Sequence, residues 1–338
     1  VLRRHGAGGL TMAVLVTGAS GFLGSHVLAR LAASGTLALG LGRDAARCAA
    51  LETAGHRIIR HDLSLPLDRA LDLRLRRVER IIHCAALSAP FGRLADFEAA
   101  NVAAMRNILD FATRQGISRF VHISSPSVCF AFRDQLDLAE DAALPDPVNH
   151  YARTKREAER LVLAAPAIHP VVLRPRGIYG AGDRALLPRL IKAAKNRPLP
   201  IFRDGRARID LTHVDDVVDA VMVALAAPRE AEGHVFNISG GEVLPVRRIA
   251  DEACACAGIT ARWRRVPLWP AMLVASAMEA MALALPGPPE PPVTRYGLGL
   301  FAYAQSLDLA KARRLLGWTP KVGFEQGLDR TFAGGGLA

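Results

Sequence analysis

Tyr151 and Lys155 stand four residues apart in the stretch NHYARTKREAER. That spacing puts both on one face of a helix, where a phenol and an ammonium can approach a common point. A free phenol titrates near ~10. A neighbouring ammonium favours phenolate and brings the group towards working pH. Both residue types are scarce: the chain has 4 tyrosines, and 5 lysines among its 43 cationic residues. On its own, the pair fits two residues on a solvated helix better than a catalytic pair. Upstream, the apolar run in RFVHISSPSVCF ends at Ser124 and Ser125. A hydroxyl at the carboxyl end of a strand donates a hydrogen bond to a substrate oxygen and fixes its orientation. Hydride transfer at a carbinol carbon needs a proton moved at its oxygen, and serine, tyrosine and lysine together meet that need.

A hydride also needs a carrier, and the first elements of the chain offer a place for one. The run Ala13 to Thr17 is short and apolar, and a glycine-rich turn follows it. An apolar-periodic helix is expected from Phe22 to Ala33, ending near Gly35. The glycines fall at 18, 21 and 24. Gly18 permits a tight exit from the strand, Gly21 lets a phosphate approach the backbone, and Gly24 lets the helix pack on the strand. The helix N-terminus then presents free N–H groups and the positive end of its dipole to a pyrophosphate. Gly18, Ser20, Gly21, Phe22, Leu23 and Gly24 are the expected cofactor contacts of this turn. The second apolar run, TLALGLGRD, should end near Gly42, with Arg43 next. A guanidinium suits a ribose 2′-phosphate, whereas a carboxylate there would suit a free 2′-hydroxyl. NADP(H) is therefore preferred and NAD(H) is the alternative, with Asp44 the acid that can still turn inward.

The TGxxGxxG spacing, HCAA at 83–86, the serine with its Tyr-x-x-x-Lys, and LRPRGIYGAGD occur in that order. Together they resemble the extended short-chain dehydrogenase/reductase family across nearly all of residues 12–330. The resemblance implies an α/β fold: a Rossmann-type doubly wound parallel sheet with a smaller C-terminal substrate-binding lobe. It gives Asp62 and Leu63 a role at the adenine, and lets the small Ala85 and Ala86 lie against the cofactor. Val128 sets the register that makes Ser125 the catalytic hydroxyl, with Ser124 pointing the other way along the strand. Ser125, Ser127 and Tyr151 become the expected substrate contacts, and Tyr151 and Lys155 also touch the cofactor. Pro175, Gly177 and Ile178 are expected to line the nicotinamide. Asn101 matches a structural or relay asparagine, and His83 reads as a packed, hydrogen-bonded residue rather than a base. One departure stands out: Cys129-Phe130 replace the usual Tyr-Gly, leaving Tyr151 as the tyrosine placed for chemistry.

Within the family, a dehydratase carries a pair of acids after its serine or threonine; here Pro126 and Ser127 follow Ser125. Many sugar epimerases carry an arginine where this chain has Ile209. The stretches SSPSVCF, RIDLTHVDDVV and the C-terminal EPPVTRYGLGLFAYAQSLDLAKARRLLGWTP look more like the 3β-hydroxysteroid dehydrogenase/isomerase branch. That resemblance implies an NAD(P)-dependent oxidoreductase interconverting 3-hydroxy and 3-keto groups on a hydrophobic substrate. The substrate would be sterol-like or a 2-alkyl-3-oxoalkanoic acid, and the alternative is a nucleotide-sugar epimerase or reductase. In VPLWPAMLVASAMEAMALALPG, Trp269, Met272, Met278 and Met281 offer either the lining of an apolar pocket or packing of the small lobe.

Bulk properties bound these readings. At 338 residues and 51% apolar, the chain suits one large domain with a lobe. Residues 12–180 are the expected dinucleotide-binding domain, with 213–239 returning to it and 181–212 and 240–330 forming the lobe. The net charge of +11 comes from scattered arginines without a nucleic-acid motif, so no nucleic-acid partner is expected. Five cysteines form no CxxC pair, which argues for reduced cytoplasmic thiols and against a metal site. Residues 1–11 lack the apolar core of a signal peptide and read as a disordered leader before Met12. Residues 271–285 are too short to span a bilayer and contain Glu279. A buried helix or a lipid-facing lid fits them, so any membrane contact is peripheral. Homodimerisation through two long helices is implied by the resemblance.

Overall fold

The computed structural model describes residues 13–333; the expected leader 1–11 and Met12 lie outside them. Seven strands form one parallel sheet in the spatial order His234–Ile238, Pro170–Pro175, Arg119–Ile123, Val78–His83, Ala13–Thr17, Ala38–Gly42, Arg57–Arg60. The central runs are apolar almost throughout because both faces of a parallel sheet are covered. Alternate residues of the first strand supply the two sides: Val14 and Val16 join one core, Ala13 and Leu15 the other. On the first side lie helices Phe22–Ala33 and Val214–Leu225; on the second lie Ala104–Gln115 and His150–Leu163. This is the expected doubly wound arrangement. Its strand order reverses at Ala13–Thr17, between Ala38–Gly42 and Val78–His83, which opens a crevice at the carboxyl ends.

The predicted elements land close to their expected bounds, with strands ending at Gly42, Arg60 and Ile123. The smaller elements differ from expectation in one respect. A four-stranded sheet combines Arg208–Ile209, Leu244–Pro245 and Gln305–Leu307 with Gln135–Leu138, which comes from inside the range 12–180. Leu307, Leu309, Ala312, Leu316 and Trp318 also pack into the main core. The C-terminal segments are thus bound to the sheet by a shared interior.

The glycine turn sets how closely the first helix approaches. A Cβ on Gly24 would lie 2.2 Å from the Gly18 carbonyl oxygen and 2.8 Å from its carbon. Both are backbone atoms of the turn, so neither can rotate aside. Gly24→Ala is expected to destabilise the protein by about 1–3 kcal/mol in urea unfolding, the range for overpacking a tight interior. An unchanged midpoint would show that the helix can move off the turn at no cost.

Candidate active site

Gly18 adopts φ +66°, and a Cβ there would lie 2.6 Å from the Ala85 nitrogen. Only glycine lets the first strand leave its turn against the end of the fourth. The helix that follows starts at Gly21 with no side-chain cap and no acid in its first turn. Its leading N–H groups therefore remain available to an anion, and the turn fits a dinucleotide pyrophosphate. Ser20 packs against the end of the second strand, where a Cβ on Gly42 would meet its Oγ at 2.8 Å. His26, edge-on to Phe22, bonds the Ala181 carbonyl at 2.9 Å and ties this helix to the loop after Pro170–Pro175.

At the far end of the crevice, Arg43 is exposed and lies 3.7 Å from Asp62. The Asp62 carboxylate accepts from Ser64 N at 2.9 Å; that bond, then Arg43, holds it below the usual carboxylate range. Asp44, the acid that was free to turn inward, caps the next helix by accepting from Arg47 N at 3.0 Å. The Leu63 side chain is buried in the core, which leaves its backbone for any cofactor contact. Ala85 and Ala86 follow the fourth strand as small, accessible residues.

Asn149 caps the helix His150–Leu163 by accepting from Ala152 N at 2.8 Å, which puts Tyr151 in the first turn. Burial pushes the Tyr151 phenol up, while the hydroxyls of Ser88 and Ser125 beside it pull the other way. Ser125 caps the short turn Pro126–Cys129, its Oγ accepting from Ser127 N at 3.2 Å. Ser124 points away, donating to Glu159 at 2.7 Å in a buried cluster with Arg174. The Ser127 hydroxyl is buried without a partner among the described residues.

Lys155 departs from expectation. Its ammonium is not engaged with the phenol: it donates to the Ile123 carbonyl at 2.6 Å and lies 3.4 Å from His122 Nε2. Desolvation brings it down to about 8, against the opposing pull of Glu159. The expected lowering of the Tyr151 pKa by Lys155 is therefore absent in this arrangement, because desolvation of the phenol dominates. His83 is packed and bonded to Thr17 at 2.8 Å, and burial takes it to about 3, so it stays neutral.

Three residues of this region escaped the sequence reading. Ser88 follows Leu87, whose N donates at 2.7 Å to Asn101, and Asn101 in turn donates to Thr154 on the Tyr151 helix at 3.0 Å. Asn101 sits in a π-helical turn, Glu98–Ala103, an irregularity common at functional sites. Tyr296 enters from the C-terminal segment, edge-on to Phe130 at 5.2 Å, and its phenol is pushed up to about 12 by burial. Arg176, between the expected contacts Pro175 and Gly177, is buried in an ion pair with Asp210 at 2.9 Å and also bonds Gln305. Gly177 takes φ +50° and Ile178 pairs with Thr212, so this loop runs directly into the smaller elements.

The NAD dependent epimerase/dehydratase family model matches residues 14–239. The chain belongs to this family. It is 31% identical to 2-alkyl-3-oxoalkanoate reductase of Stenotrophomonas maltophilia, over 94% of this chain and 98% of that one. It is 30% identical to sterol-4-alpha-carboxylate 3-dehydrogenase ERG26, decarboxylating, of Saccharomyces cerevisiae, over 80% and 81%. A crystal structure of UDP-glucuronic acid 4-epimerase from Bacillus cereus in complex with NAD superposes with a TM-score of 0.74 at 26% identity, covering 95% and 96%. Family membership makes the protein an NAD-dependent enzyme of the oxidoreductase/epimerase type.

The buried Lys155 has a consequence for stability in this family member. Its folded pKa of about 8 lies below its unfolded value of 10.5. Below pH 8 the ammonium is charged in both states, and its desolvation cost is fully present. Between pH 8 and 10.5 the unfolded chain binds the extra proton, so stability rises with pH through that window. Lys155→Met should be more stable than the parent at pH 7 by roughly 1–3 kcal/mol, since a shift of this size is on the order of 3 kcal/mol before its hydrogen bond is subtracted. The gap should close by pH 10.5. A denaturation series showing a constant gap, or none, would remove desolvation as the cause.

Proposed function

We propose that the chain is an NADP(H)-preferring oxidoreductase that interconverts a 3-hydroxy and a 3-keto group on a hydrophobic substrate. The observation that carries this reading is the Tyr151 phenol, placed in the first turn of its helix, with the Ser88 and Ser125 hydroxyls beside it and the Phe97 ring 6.4 Å from its own. When bound, the dinucleotide supplies or accepts the hydride. In the reducing direction Tyr151 donates its proton to the carbonyl oxygen, and Ser125 donates a hydrogen bond to the same oxygen and orients it. The raised phenol pKa keeps that proton in place at neutral pH. Lys155, one turn further along the helix, would hold the cofactor ribose on turning from the Ile123 carbonyl, and from there would favour the phenolate in the oxidising direction. The glycine turn would take the pyrophosphate, Arg43 the 2′-phosphate and Asp62 the adenine.

Two relatives support the substrate class. The Stenotrophomonas protein is a 2-alkyl-3-oxoalkanoate reductase, and the yeast protein is a 3-dehydrogenase of a sterol carboxylate. The likeness to UDP-glucuronic acid 4-epimerase favours a second reading, a nucleotide-sugar epimerase. Against it, the position where many sugar epimerases carry an arginine is the half-buried Ile209, and Arg208 beside it is exposed.

NADPH oxidation should follow addition of 2-alkyl-3-oxoalkanoic acids or sterol-like 3-ketones. Turnover of UDP-sugars with none on either ketone series would replace this reading by the second. Tyr151→Phe should lower kcat by about 10²–10⁴-fold, the usual contribution of a general acid, and leave cofactor affinity nearly unchanged. Full activity in that variant would remove Tyr151 from the mechanism. Arg43→Asp should cost about 10–100-fold in kcat/KM for NADPH, the worth of a charge-assisted contact, and spare NADH. A ratio of the two cofactors that does not move would refute the assignment of Arg43.

A further inference from the structure

We propose that the helix Leu268–Leu283 docks along an anionic lipid surface. Nine large apolar side chains are exposed among the described residues, and six of them, Trp269, Leu273, Val274, Met281, Leu283 and Leu285, lie on or just after this helix. Trp269 and Met281 follow neither of the two alternatives, pocket lining or packing of the lobe: they are 72% and 71% exposed. Trp269, Leu273, Ala277, Ala280 and Ala284 are all exposed at steps of three or four, so they form one outward stripe. At 16 residues the helix is ~24 Å long. Its only ionisable group, Glu279, is turned aside to accept from Arg295 N at 2.8 Å, and Ser276 bonds back to Met272 O.

The inner side explains why such a helix is stable on the surface. Ala275 packs with Phe202, Leu298 and Ala302, and only Ala275 and Ala282 are buried along its length. A helix apolar all round belongs in a core or in lipid, and this one is not enclosed by a core. No helix among the described residues is long and apolar enough to cross a membrane. It would therefore lie in the interface, its outer face among the acyl chains.

Charge selects the kind of surface. Arg262, Arg264 and Arg265 are all exposed within seven residues of Trp269. Arg265 has only a 4.0 Å contact with the exposed Asp204, which is worth little in water. Each such cation adds attraction near an anionic leaflet, lost within a Debye length and screened by salt. Trp269 stands at this arginine-bearing end, where an indole sits at headgroup level. A protein partner would instead bring about one hydrogen bond per 100–200 Å² of interface. The outward stripe offers no hydrogen-bonding side chain apart from the Trp269 indole. The next helix, Arg295–Ala302, packs against this one and carries Tyr296 to the Tyr151 cleft. On the proposed function, the docked face therefore adjoins the wall past which a lipid-soluble substrate would enter.

The test is flotation of the full chain with phosphatidylcholine vesicles, with and without phosphatidylglycerol, followed by tryptophan emission. Binding to the phosphatidylglycerol vesicles, weakened by salt and accompanied by a blue shift, is expected. Leu273→Glu with Met281→Glu should weaken binding by about 10-fold or more, given the cost of a carboxylate among acyl chains. That variant should keep the parent's melting temperature and its turnover of a short, water-soluble 3-oxo acid. Three results would each overturn the proposal: no flotation with either vesicle, undiminished flotation of the double variant, or a parent dimer that the substitutions dissociate. Absence of turnover on every keto acid would sink the functional reading while leaving the flotation result to stand alone.

Discussion

The approach of Gly18 to the backbone of Ala85 governs the geometry of the cleft. A side chain at Gly18 would sit 2.6 Å from the Ala85 nitrogen, so the first and fourth strands can abut only because that residue has none. The chain beyond Ala85 then runs outward along the sheet edge for three residues to Ser88. Asn101 fixes this run by its bonds to Leu87, and the same amide donates to Thr154 on the Tyr151 helix. The glycine turn, the run to Ser88 and the Tyr151 helix are in this way linked through backbone contacts and the buried Asn101 and Thr154 side chains. Packed, hydrogen-bonded side chains of this kind hold a site to close tolerance.

Beneath that edge the protein keeps an unusual amount of charge out of water. Glu159 and Arg174 form a buried pair, completed by Ser124 and by Cys129 at 3.3 Å from the guanidinium. Such a pair is weak as a source of stability, because desolvation consumes most of the Coulomb gain. Lys155 is costlier still. It has a carbonyl and a neutral imidazole for company, and the other nitrogen of that imidazole, His122 Nδ1, has no partner among the described residues. A group held against its own solvation preference, next to a cleft, is the pattern expected where function rather than folding sets the choice of residue.

Much of the frame was legible in the sequence because it is written in local patterns. The glycine spacing, the apolar strand runs and the Asn149 cap before Tyr151 each depend on neighbours within a few residues. Ser125, Tyr151 and the glycine turn could be placed at one sheet edge from strand order alone. What escaped depended on contacts across the fold. Tyr296 lies 145 residues beyond Tyr151, and nothing near it signals that its helix returns to the cleft. Arg176 was the nearest miss: a cation at the end of an apolar strand, between two residues already chosen, was a readable signal. The direction of the Lys155 ammonium and the raised phenol pKa follow from burial, which residue spacing does not report. The helix Leu268–Leu283 was ambiguous for a related reason. Its residues are apolar on every side, so periodicity could not say which face would be covered.

The same contacts bear on what the cleft accepts. A nucleotide sugar brings two negative charges on its diphosphate, and a site for it needs unengaged cations within reach. Arg176 is close enough to Tyr296 to be felt by its phenol. Yet its charge is already met by Asp210 and one of its terminal nitrogens by Gln305. Releasing it for a phosphate would leave the Asp210 carboxylate, 1% exposed, buried without its counter-ion, a penalty of about 3–5 kcal/mol when one partner of a buried pair is removed. The Phe97 and Phe130 rings are already buried behind the phenol and Tyr296. The half-buried Tyr296 can exchange water for hydrocarbon when an apolar skeleton enters, a gain that grows with buried area. On the proposed function, a substrate with one carbonyl at the hydroxyl cluster and an apolar remainder leaves the Arg176 pair in place.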